Sequence, residues 1–226
     1  MSAALLIVGR GRMGRLVEAL APEYGFQVAG TVDIDNAAQP EAWPQADVAI
    51  DFSLADAVPV NFPVLAARGM NVVIGATGWQ AEEPALRAEA QSRGIGVVAA
   101  PNFAVGVNLF LALVERAAEL WRDQPAFGAW LHELHHAAKR DAPSGTALAM
   151  ESAMRAGGYR HAIDVSSSRA GSIPGTHTLG FDAAAETITL THTARDRAVF
   201  ARGALHAAQW LQGKRGWFTM KDVLGL

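Results

Sequence analysis

Short continuous apolar runs alternate with helical apolar spacing in the N-terminal half of the chain. A run such as Leu5–Val8 is typical of a strand that is covered on both faces of a sheet. After Gly11, apolar residues recur three and four positions apart, which is the spacing of one helix face. Strands are predicted at 5–8, 26–32, 48–52, 72–74 and 95–99. This alternation of strand and helix predicts a doubly wound parallel sheet.

The pattern changes near residue 105. One strong helix is predicted at 108–121, followed by strands with little helix between them, at 130–136, 164–169, 176–181 and 186–193. In the last strand Ile188 and Leu190 alternate with threonines, as expected of a half-buried antiparallel strand. We therefore expect a smaller α+β domain with a mixed or antiparallel sheet.

A final amphipathic helix at 200–211 is expected to return to the first domain. The predicted domains are therefore a dinucleotide-binding domain at 1–105, completed by 200–226, and a domain at 106–199 for substrate binding and oligomerisation.

Composition limits the classes of function. The 226 residues include no cysteine, which excludes disulfides, thiolate metal ligands and a cysteine nucleophile. A net charge of −3 gives no reason to expect nucleic acid or an anionic membrane as a partner. The apolar start is short and has no basic region before it, so it predicts a buried strand rather than a signal peptide. No apolar stretch approaches the roughly 20 residues that span a bilayer. We expect a cytoplasmic protein.

A glycine-rich loop follows the first predicted strand. The segment Gly9-Arg10-Gly11-Arg12-Met13-Gly14 matches G-x-G-x-x-G and leads directly into a helix. The first glycine permits a tight turn, the second lets the backbone approach a pyrophosphate, and the third lets helix and strand pack closely. The helix start offers free N–H groups to the phosphates. Together with the surrounding elements, this loop predicts a Rossmann-type dinucleotide-binding domain.

The acid at the end of the second strand bears on the choice of cofactor. Asp33 lies about 20 residues after the loop, where a carboxylate accepts hydrogen bonds from the adenine ribose. It would repel a 2′-phosphate, which favours NADH. Arg10, Arg12 and Arg15 could each reach such a phosphate, so NADPH stays open.

Two further loops follow predicted strands of the same sheet. They are Gly75-Ala76-Thr77-Gly78 and Ala100-Pro101-Asn102-Phe103. Ligands bind at the carboxyl ends of strands in such sheets. The first loop offers open backbone and a hydroxyl, and the second an amide and an aromatic edge that could position a nicotinamide. The alternative is that both are ordinary turns.

The most distinctive chemistry lies between residues 133 and 148. A turn enforced around Pro143 could bring the Lys139 ammonium and one imidazole of the pair His135 and His136 to a common point. Ser144-Gly145-Thr146 opens the next helix, whose hydroxyls and free N–H groups would suit a substrate carboxylate. A histidine that titrates near neutrality can donate a proton after a hydride arrives. Alternatively, the histidines form a polar rim and Ser144 only caps the helix.

Taken together, these segments resemble the 4-hydroxy-tetrahydrodipicolinate reductase family, also called dihydrodipicolinate reductase. The matching motifs run in family order over nearly the whole chain: Gly11-Arg12-Met13-Gly14-Arg15, Ile50-Asp51-Phe52-Ser53, Gly75 to Gly78, Pro101 to Asn108, Glu133-Leu134-His135-His136 with Lys139, Asp141 to Ala147, Arg169-Ala170-Gly171 and Gly175-Thr176-His177-Thr178. The glycine loop is one residue shorter than the usual family form, and Ile34 stands where some members carry an arginine.

The resemblance implies reduction of a small cyclic imine dicarboxylate by NADH or NADPH, with loss of water, in diaminopimelate and lysine biosynthesis. It also implies a homotetramer. By resemblance His135 is the proton donor or acceptor and Lys139 a second proton donor, while His136, Gly145 and Thr146 bind the substrate. The cofactor would contact Gly9 to Gly14, Asp33, Gly75 to Thr77 and Ala100 to Phe103. No metal is expected.

Two other hypotheses remain open. Another small dehydrogenase of this architecture could act on aspartate, although it would not need both Lys139 and the Ser144 to Thr146 helix start. A dinucleotide-binding sensor without catalysis is a different class, which His135 and Lys139 argue against. Aspartate-semialdehyde dehydrogenase is excluded because its cysteine nucleophile is missing.

Overall fold

A computed structural model describes residues 2–226. In chain order its regular elements are β1 (Ala3–Val8), α1 (Arg12–Leu20), β2 (Phe26–Val32), β3 (Val48–Asp51), α2 (Val58–Ala67), β4 (Asn71–Ile74), α3 (Glu83–Arg93), β5 (Gly96–Ala99), α4 (Val105–Trp121), β6 (Gly128–His135), α5 (Gly145–Ala156), β7 (Ile163–Arg169), β8 (Thr176–Ala183), β9 (Glu186–Thr193), α6 (Ala198–Trp210), β10 (Gly216–Phe218) and α7 (Met220–Leu224). Short 3₁₀ turns cover Ala21–Tyr24, Pro40–Ala42 and Gln80–Glu82.

The chain divides into two compact units. One contains the chain up to Val105 together with Ala198–Leu226, and the other contains Gly106–Arg197. The helix expected to return to the first domain is α6, and it packs against α1 in the first unit.

The first unit is built on one parallel sheet with strand order β10-β5-β4-β3-β1-β2. Successive side chains of a strand point to opposite faces. Leu5 and Ile7 accordingly lie in a core with α1 and α6, while Leu6 and Val8 lie in a second core with α2 and α3. All four are buried. The continuous apolar run therefore has the cause that the sequence predicts, a sheet covered on both faces.

The second unit contains a four-stranded sheet with order β7-β6-β8-β9. The pairs β6–β8 and β8–β9 are antiparallel, whereas β6–β7 is parallel. The inner face packs on α4 and α5, with Val114, Leu131, Met154 and Phe181 in the core. The outer side of β9 exposes its threonines, as the alternation around Ile188 and Leu190 predicts.

The predicted fold class is confirmed, and the differences are local. The strand β10 was not predicted, because three residues carry too little periodicity to distinguish a strand from a turn. Helix α4 begins three residues before its predicted start at 108. No helix in the described part, residues 2–226, is long and apolar enough to cross a bilayer.

One close approach in the first unit depends on a glycine of α6. A Cβ atom at Gly203 would lie 1.6 Å from the carbonyl oxygen of Phe103. Gly203→Ala must therefore displace the helix or the 100–103 loop, and we expect a loss of about 1–3 kcal/mol in the free energy of unfolding. Urea unfolding measures this loss. The control is Gly128→Ala, where a Cβ meets nothing within 4 Å. Equal stability of the two variants would contradict this account of the packing.

Candidate active site

The glycine loop at the carboxyl end of β1 is shaped by two close backbone approaches. Gly9 has a φ of +89°, and its N–H donates to the Val32 carbonyl at 2.8 Å. A Cβ at Gly14 would lie 2.1 Å from the Gly9 carbonyl oxygen. At Gly11, in contrast, a Cβ would meet nothing within 4 Å. Close packing therefore requires glycine at positions 9 and 14, whereas the space beside Gly11 is open.

The start of α1 is arranged for an anion. Gly11 is the N-cap, and no side chain caps the first turn, so the helix start at Arg12, Met13 and Gly14 retains N–H groups for a ligand. Hydrogen bonding between neighbouring strands brings Asp33, directly after β2, near this loop. Its Oδ1 accepts from the Asp35 N–H at 3.0 Å.

The arginine at the second position of the loop is already paired. Arg10 donates from Nε to Glu18 Oε2 at 3.1 Å. This hydrogen bond is the first cause of a raised pKa for Arg10, with the Glu18 charge second. The pair holds the Arg10 guanidinium against α1, whereas Arg12 is exposed.

The two later loops follow β4 and β5, which are neighbours in the parallel sheet, so they reach the same edge as the glycine loop. A Cβ at Gly75 would lie 2.1 Å from the Phe52 ring. Thr77 and Pro101 are exposed, Asn102 is half-buried, and Ala76, Ala100 and Phe103 are buried. The Phe103 ring packs edge-on against Phe52 with 6.3 Å between centroids, and its residue is only 2% exposed. Its aromatic edge therefore has little surface left for a nicotinamide.

The second unit places five polar residues around the end of β6. Glu133 and His135 are two residues apart and therefore share the inner face of the strand. Glu133 Oε1 accepts from Arg169 Nη2 at 2.7 Å and from the Ser144 N–H at 3.2 Å. Its other oxygen, Oε2, contacts Nδ1 of His135. The His135 and His177 rings meet edge-on with 5.0 Å between centroids.

The charge on Glu133 is stabilised despite burial. Burial alone would raise the pKa of this 1% exposed carboxyl. Hydrogen bonds from Arg169 and Ser167, with the charges of His135 and Arg169, outweigh burial and lower the pKa from 4.5 to about 2. Because this pKa is lower in the folded protein, the carboxylate contributes stability at neutral pH that is lost as pH falls from 4.5 towards about 2.

Burial lowers the pKa of both histidines of the cluster and so disfavours their charged forms. Burial is the main cause of the lowered pKa of His135, opposed by the Glu133 charge and hydrogen bond. Burial, followed by the charge of His135, lowers the pKa of His177 from 6.5 to about 4. Neutral, buried His177 therefore contributes stability above pH 6.5 that is lost as pH falls towards about 4.

The segment after β6 turns, as the sequence predicts. The Lys139 N–H donates to the His136 carbonyl at 3.1 Å. The Lys139 ammonium donates to both oxygens of Asp141 at 2.8 Å, and this hydrogen bond is the first cause of the lowered pKa of Asp141. The Lys139 charge is close enough to lower the pKa of His135. His136 follows the strand end and is half-buried.

Ser144 is the N-cap of α5, as one of the two interpretations of the sequence predicts. Its Oγ accepts from the Ala147 N–H at 3.2 Å and is paired with His177 Nε2 at 3.1 Å. The residue is buried, so little of its hydroxyl is left for a substrate. The helix begins at Gly145, directly after Ser144. Gly145 is exposed and Thr146 half-buried, so the first turn retains an open anion site.

Sequence reasoning gave no role to Glu133, Arg169 or His177. The role of Glu133 could have been inferred from the sequence. The alternation along β6 places Glu133 on the same buried face as Leu131, where an acid needs a partner. Arg169 and His177 stood in the motifs of the resemblance without a function. Their convergence on one carboxylate and one imidazole depends on strand pairing that the sequence does not display.

The spacing of this cluster also resembles a metal site. Glu133, His135 and His177 each offer a ligand-type atom, and these atoms lie within 4.8 Å of one another. The Arg169 guanidinium on the same carboxylate opposes a second cation. We therefore interpret the cluster as one that handles protons. The expectation that no metal binds stays a prediction.

A parallel sheet with a glycine loop at its carboxyl edge, joined to a mixed-sheet unit with a buried acid–histidine cluster, defines a two-unit protein of the dinucleotide-dependent reductase and dehydrogenase type. Two family models match the chain: "Dihydrodipicolinate reductase, N-terminus" over residues 3–103 and "Dihydrodipicolinate reductase, C-terminus" over residues 106–224. The chain belongs to the dihydrodipicolinate reductase family, which confirms the resemblance.

Individual relatives agree. The 4-hydroxy-tetrahydrodipicolinate reductase of Acidiphilium cryptum is 40% identical, over 96% of this chain and 94% of that protein. The 4-hydroxy-tetrahydrodipicolinate reductase of Methanosarcina mazei is 36% identical, over 89% of this chain and 81% of that protein. The dipicolinate-bound dihydrodipicolinate reductase of Paenisporosarcina sp. TG-14 has the same fold, with a TM-score of 0.79 at 21% identity over 97% and 98% of the chains. A myo-inositol dehydrogenase of Corynebacterium glutamicum has a TM-score of 0.58 at 12% identity, over 96% of this chain and 90% of that chain.

Two glycines of the first loop separate binding from folding. Gly11→Ala adds a Cβ in open space, so we expect unchanged stability and dinucleotide affinity weakened about tenfold or more, because the added methyl opposes backbone approach to the pyrophosphate. Gly14→Ala clashes with the Gly9 carbonyl and should lower the free energy of unfolding by about 1–3 kcal/mol. Calorimetric NADH binding and urea unfolding test both. Full affinity in a folded Gly11→Ala protein would show that the cofactor does not use this loop.

Proposed function

We propose that the protein catalyses the NAD(P)H-dependent reduction of 4-hydroxy-tetrahydrodipicolinate to tetrahydrodipicolinate, in diaminopimelate and lysine biosynthesis. The observation that carries the proposal is the buried cluster of Glu133, His135 and His177 beside the open N-terminus of α5. It combines a group that exchanges protons with an anion site, which is the chemistry that reduction of an acidic substrate requires. Family membership supports the same reaction.

The first unit fits a nicotinamide dinucleotide. The pyrophosphate would lie over Gly11 and the uncapped start of α1, and Asp33 would accept the adenine ribose hydroxyls. The 75–77 and 100–103 loops would contact the rest of the cofactor, with Thr77, Pro101 and Asn102 offering the surface. When bound, the reduced nicotinamide supplies the hydride.

The second unit fits a dicarboxylate. The first-turn N–H groups at Gly145 and Thr146 would hold one carboxylate, and the helix dipole favours a negative charge there. His136 would complete the contacts. The role of Ser144 is indirect, because its hydroxyl caps α5 and orients His177.

His135 and Lys139 would supply protons. The overall reaction adds one hydride and one proton and releases one water. In the free protein burial lowers the pKa of His135, but a bound dianion would stabilise the imidazolium and raise it. Substrate binding would therefore favour protonation of His135 before the reaction. The Lys139 ammonium, which is paired with Asp141, would be the second donor.

The proposal also covers assembly, location and cofactor choice. We expect a cytoplasmic homotetramer that prefers NADH. The preference rests on Asp33, whose carboxylate would oppose a 2′-phosphate, and on Arg10, which Glu18 holds against α1.

Removing either proton donor should reduce turnover. His135→Ala or Lys139→Ala is expected to lower kcat by on the order of 10²–10⁴-fold and leave cofactor affinity near wild type. The assay follows oxidation of NADH and NADPH with the substrate generated in situ. Arg140→Ala, an exposed neighbouring cation, is the matched control and should keep its activity. Wild-type rates in both donor variants would remove the assignment, and cofactor binding without turnover in the wild type would favour a sensor.

Cofactor preference tests the role of Asp33. Asp33→Asn removes the repulsion of a 2′-phosphate, so the ratio of kcat/KM for NADH to that for NADPH should fall about tenfold, which corresponds to ~1.4 kcal/mol. The control is Glu41→Gln, an exposed acid in the same stretch after β2. The same fall in both variants would mean that net charge rather than Asp33 sets the preference.

A further inference from the structure

Glu133 and His135 each contribute one atom that has no other partner. Oε2 of Glu133 and Nδ1 of His135 are both fully buried, and neither makes a hydrogen bond elsewhere in residues 2–226. The two atoms are in contact with each other. A buried carboxylate oxygen and a buried ring nitrogen without partners are costly, so the proton between them is best placed on Nδ1, where it satisfies both.

The rest of the Glu133 carboxylate is immobilised. Oε1 accepts from Arg169 on β7 and from the Ser144 N–H at the start of α5. Arg169 itself donates to the Asp141 carbonyl at 2.6 Å. One carboxylate thus joins β6, β7 and the helix start that would bind the substrate, and it has no freedom to turn away from His135.

The opposite ring nitrogen of His135 is kept clear by a glycine. Gly175 has a φ of +152°, and a Cβ there would lie 3.0 Å from Nε2 of His135. Any side chain at this position would crowd that nitrogen. With Nδ1 facing Glu133, Nε2 is the atom left to exchange a proton with a ligand.

We propose that Glu133 is the positioning residue of the active site: its carboxylate holds the proton of His135 on Nδ1, directs Nε2 towards the substrate and stabilises the imidazolium that forms there. The inference rests on the proposed function for its catalytic part only. The titratable and charged groups that face His135 are Glu133 from β6, Arg169 from β7, His177 from β8 and Lys139 from the following loop. Only Glu133 among them favours the charged imidazole.

The first test needs no substrate, and a variant serves only to assign the signal. Nitrogen-detected NMR of the seven histidines reports which ring nitrogen carries the proton, and His135→Asn identifies the signal. We expect neutral His135 to carry its proton on Nδ1. A proton on Nε2 in the neutral wild-type ring would overturn the proposal, whatever reaction the protein catalyses.

Two substitutions that remove charges of opposite sign distinguish a positioning role of Glu133 from a purely structural one. Glu133→Gln keeps the shape and removes the negative charge, so the pKa of His135 should fall by roughly one to three units. Arg169→Gln removes a positive charge that lowers this pKa, so the pKa should rise. A purely structural role of Glu133 would leave the His135 pKa unchanged in Glu133→Gln. Glu186→Gln, an exposed acid at the start of β9, is the control.

Kinetics supply the second readout. An acid is active while protonated, so kcat falls as pH rises through the pKa of His135 in the substrate complex. In Glu133→Gln this falling limb should move to lower pH, with kcat at neutral pH reduced by at most the roughly 10²–10⁴-fold that the acid contributes, and KM for the cofactor unchanged. Glu133→Asp should restore the limb. An unmoved limb in a folded Glu133→Gln enzyme overturns the proposal, whereas absence of turnover in wild type counts only against the proposed function.

Discussion

The second unit depends on one buried ionic interaction, that of the Glu133 carboxylate with Arg169. An ion removed from water costs several kcal/mol unless partners replace the lost hydration. Glu133 meets that requirement by accepting from Arg169 and from the Ser144 N–H, while its second oxygen contacts His135. Because the partners lie on different elements, the charge can be buried only when β6, β7 and the start of α5 are assembled correctly. The same assembly builds the proposed proton donor and the anion site.

The first unit depends instead on close contacts between backbone segments. Gly9, Gly14 and Gly203 each stand where a Cβ would clash with a neighbouring chain segment. These approaches place the uncapped start of α1 at the carboxyl edge of the sheet, beside Asp33. An architecture of this kind is shared with dehydrogenases of other substrates, such as the myo-inositol enzyme at a TM-score of 0.58. In the proposed function this unit binds the nucleotide and the other unit binds the substrate.

The division between units explains why the two parts of the sequence were not equally readable. The glycine spacing, the strand before it and the acid after it are local signals, and the structure has each where the pattern predicts it. The role of Ser144 was not decided locally, because a serine before a helix can cap it or bind a ligand. In the structure its oxygen accepts from the Ala147 N–H and is paired with the His177 ring, and substrate contact at Ser144 stays a prediction. The packing of the Phe103 ring on Phe52 is likewise not a local signal, and cofactor contact at Phe103 stays a prediction.

By itself the sequence determined the fold class, the glycine loop, the family and the candidate donors His135 and Lys139, because hydrophobic periodicity and short motifs are properties of neighbouring residues. Only the tertiary structure decided that Glu133, Arg169 and His177 surround His135. Strand register brings Arg169 opposite His135 and His177 opposite Glu133 across 34 to 44 residues of chain, and no local pattern encodes that pairing. The burial that shifts their pKa values arises only when the sheet and α5 close over them.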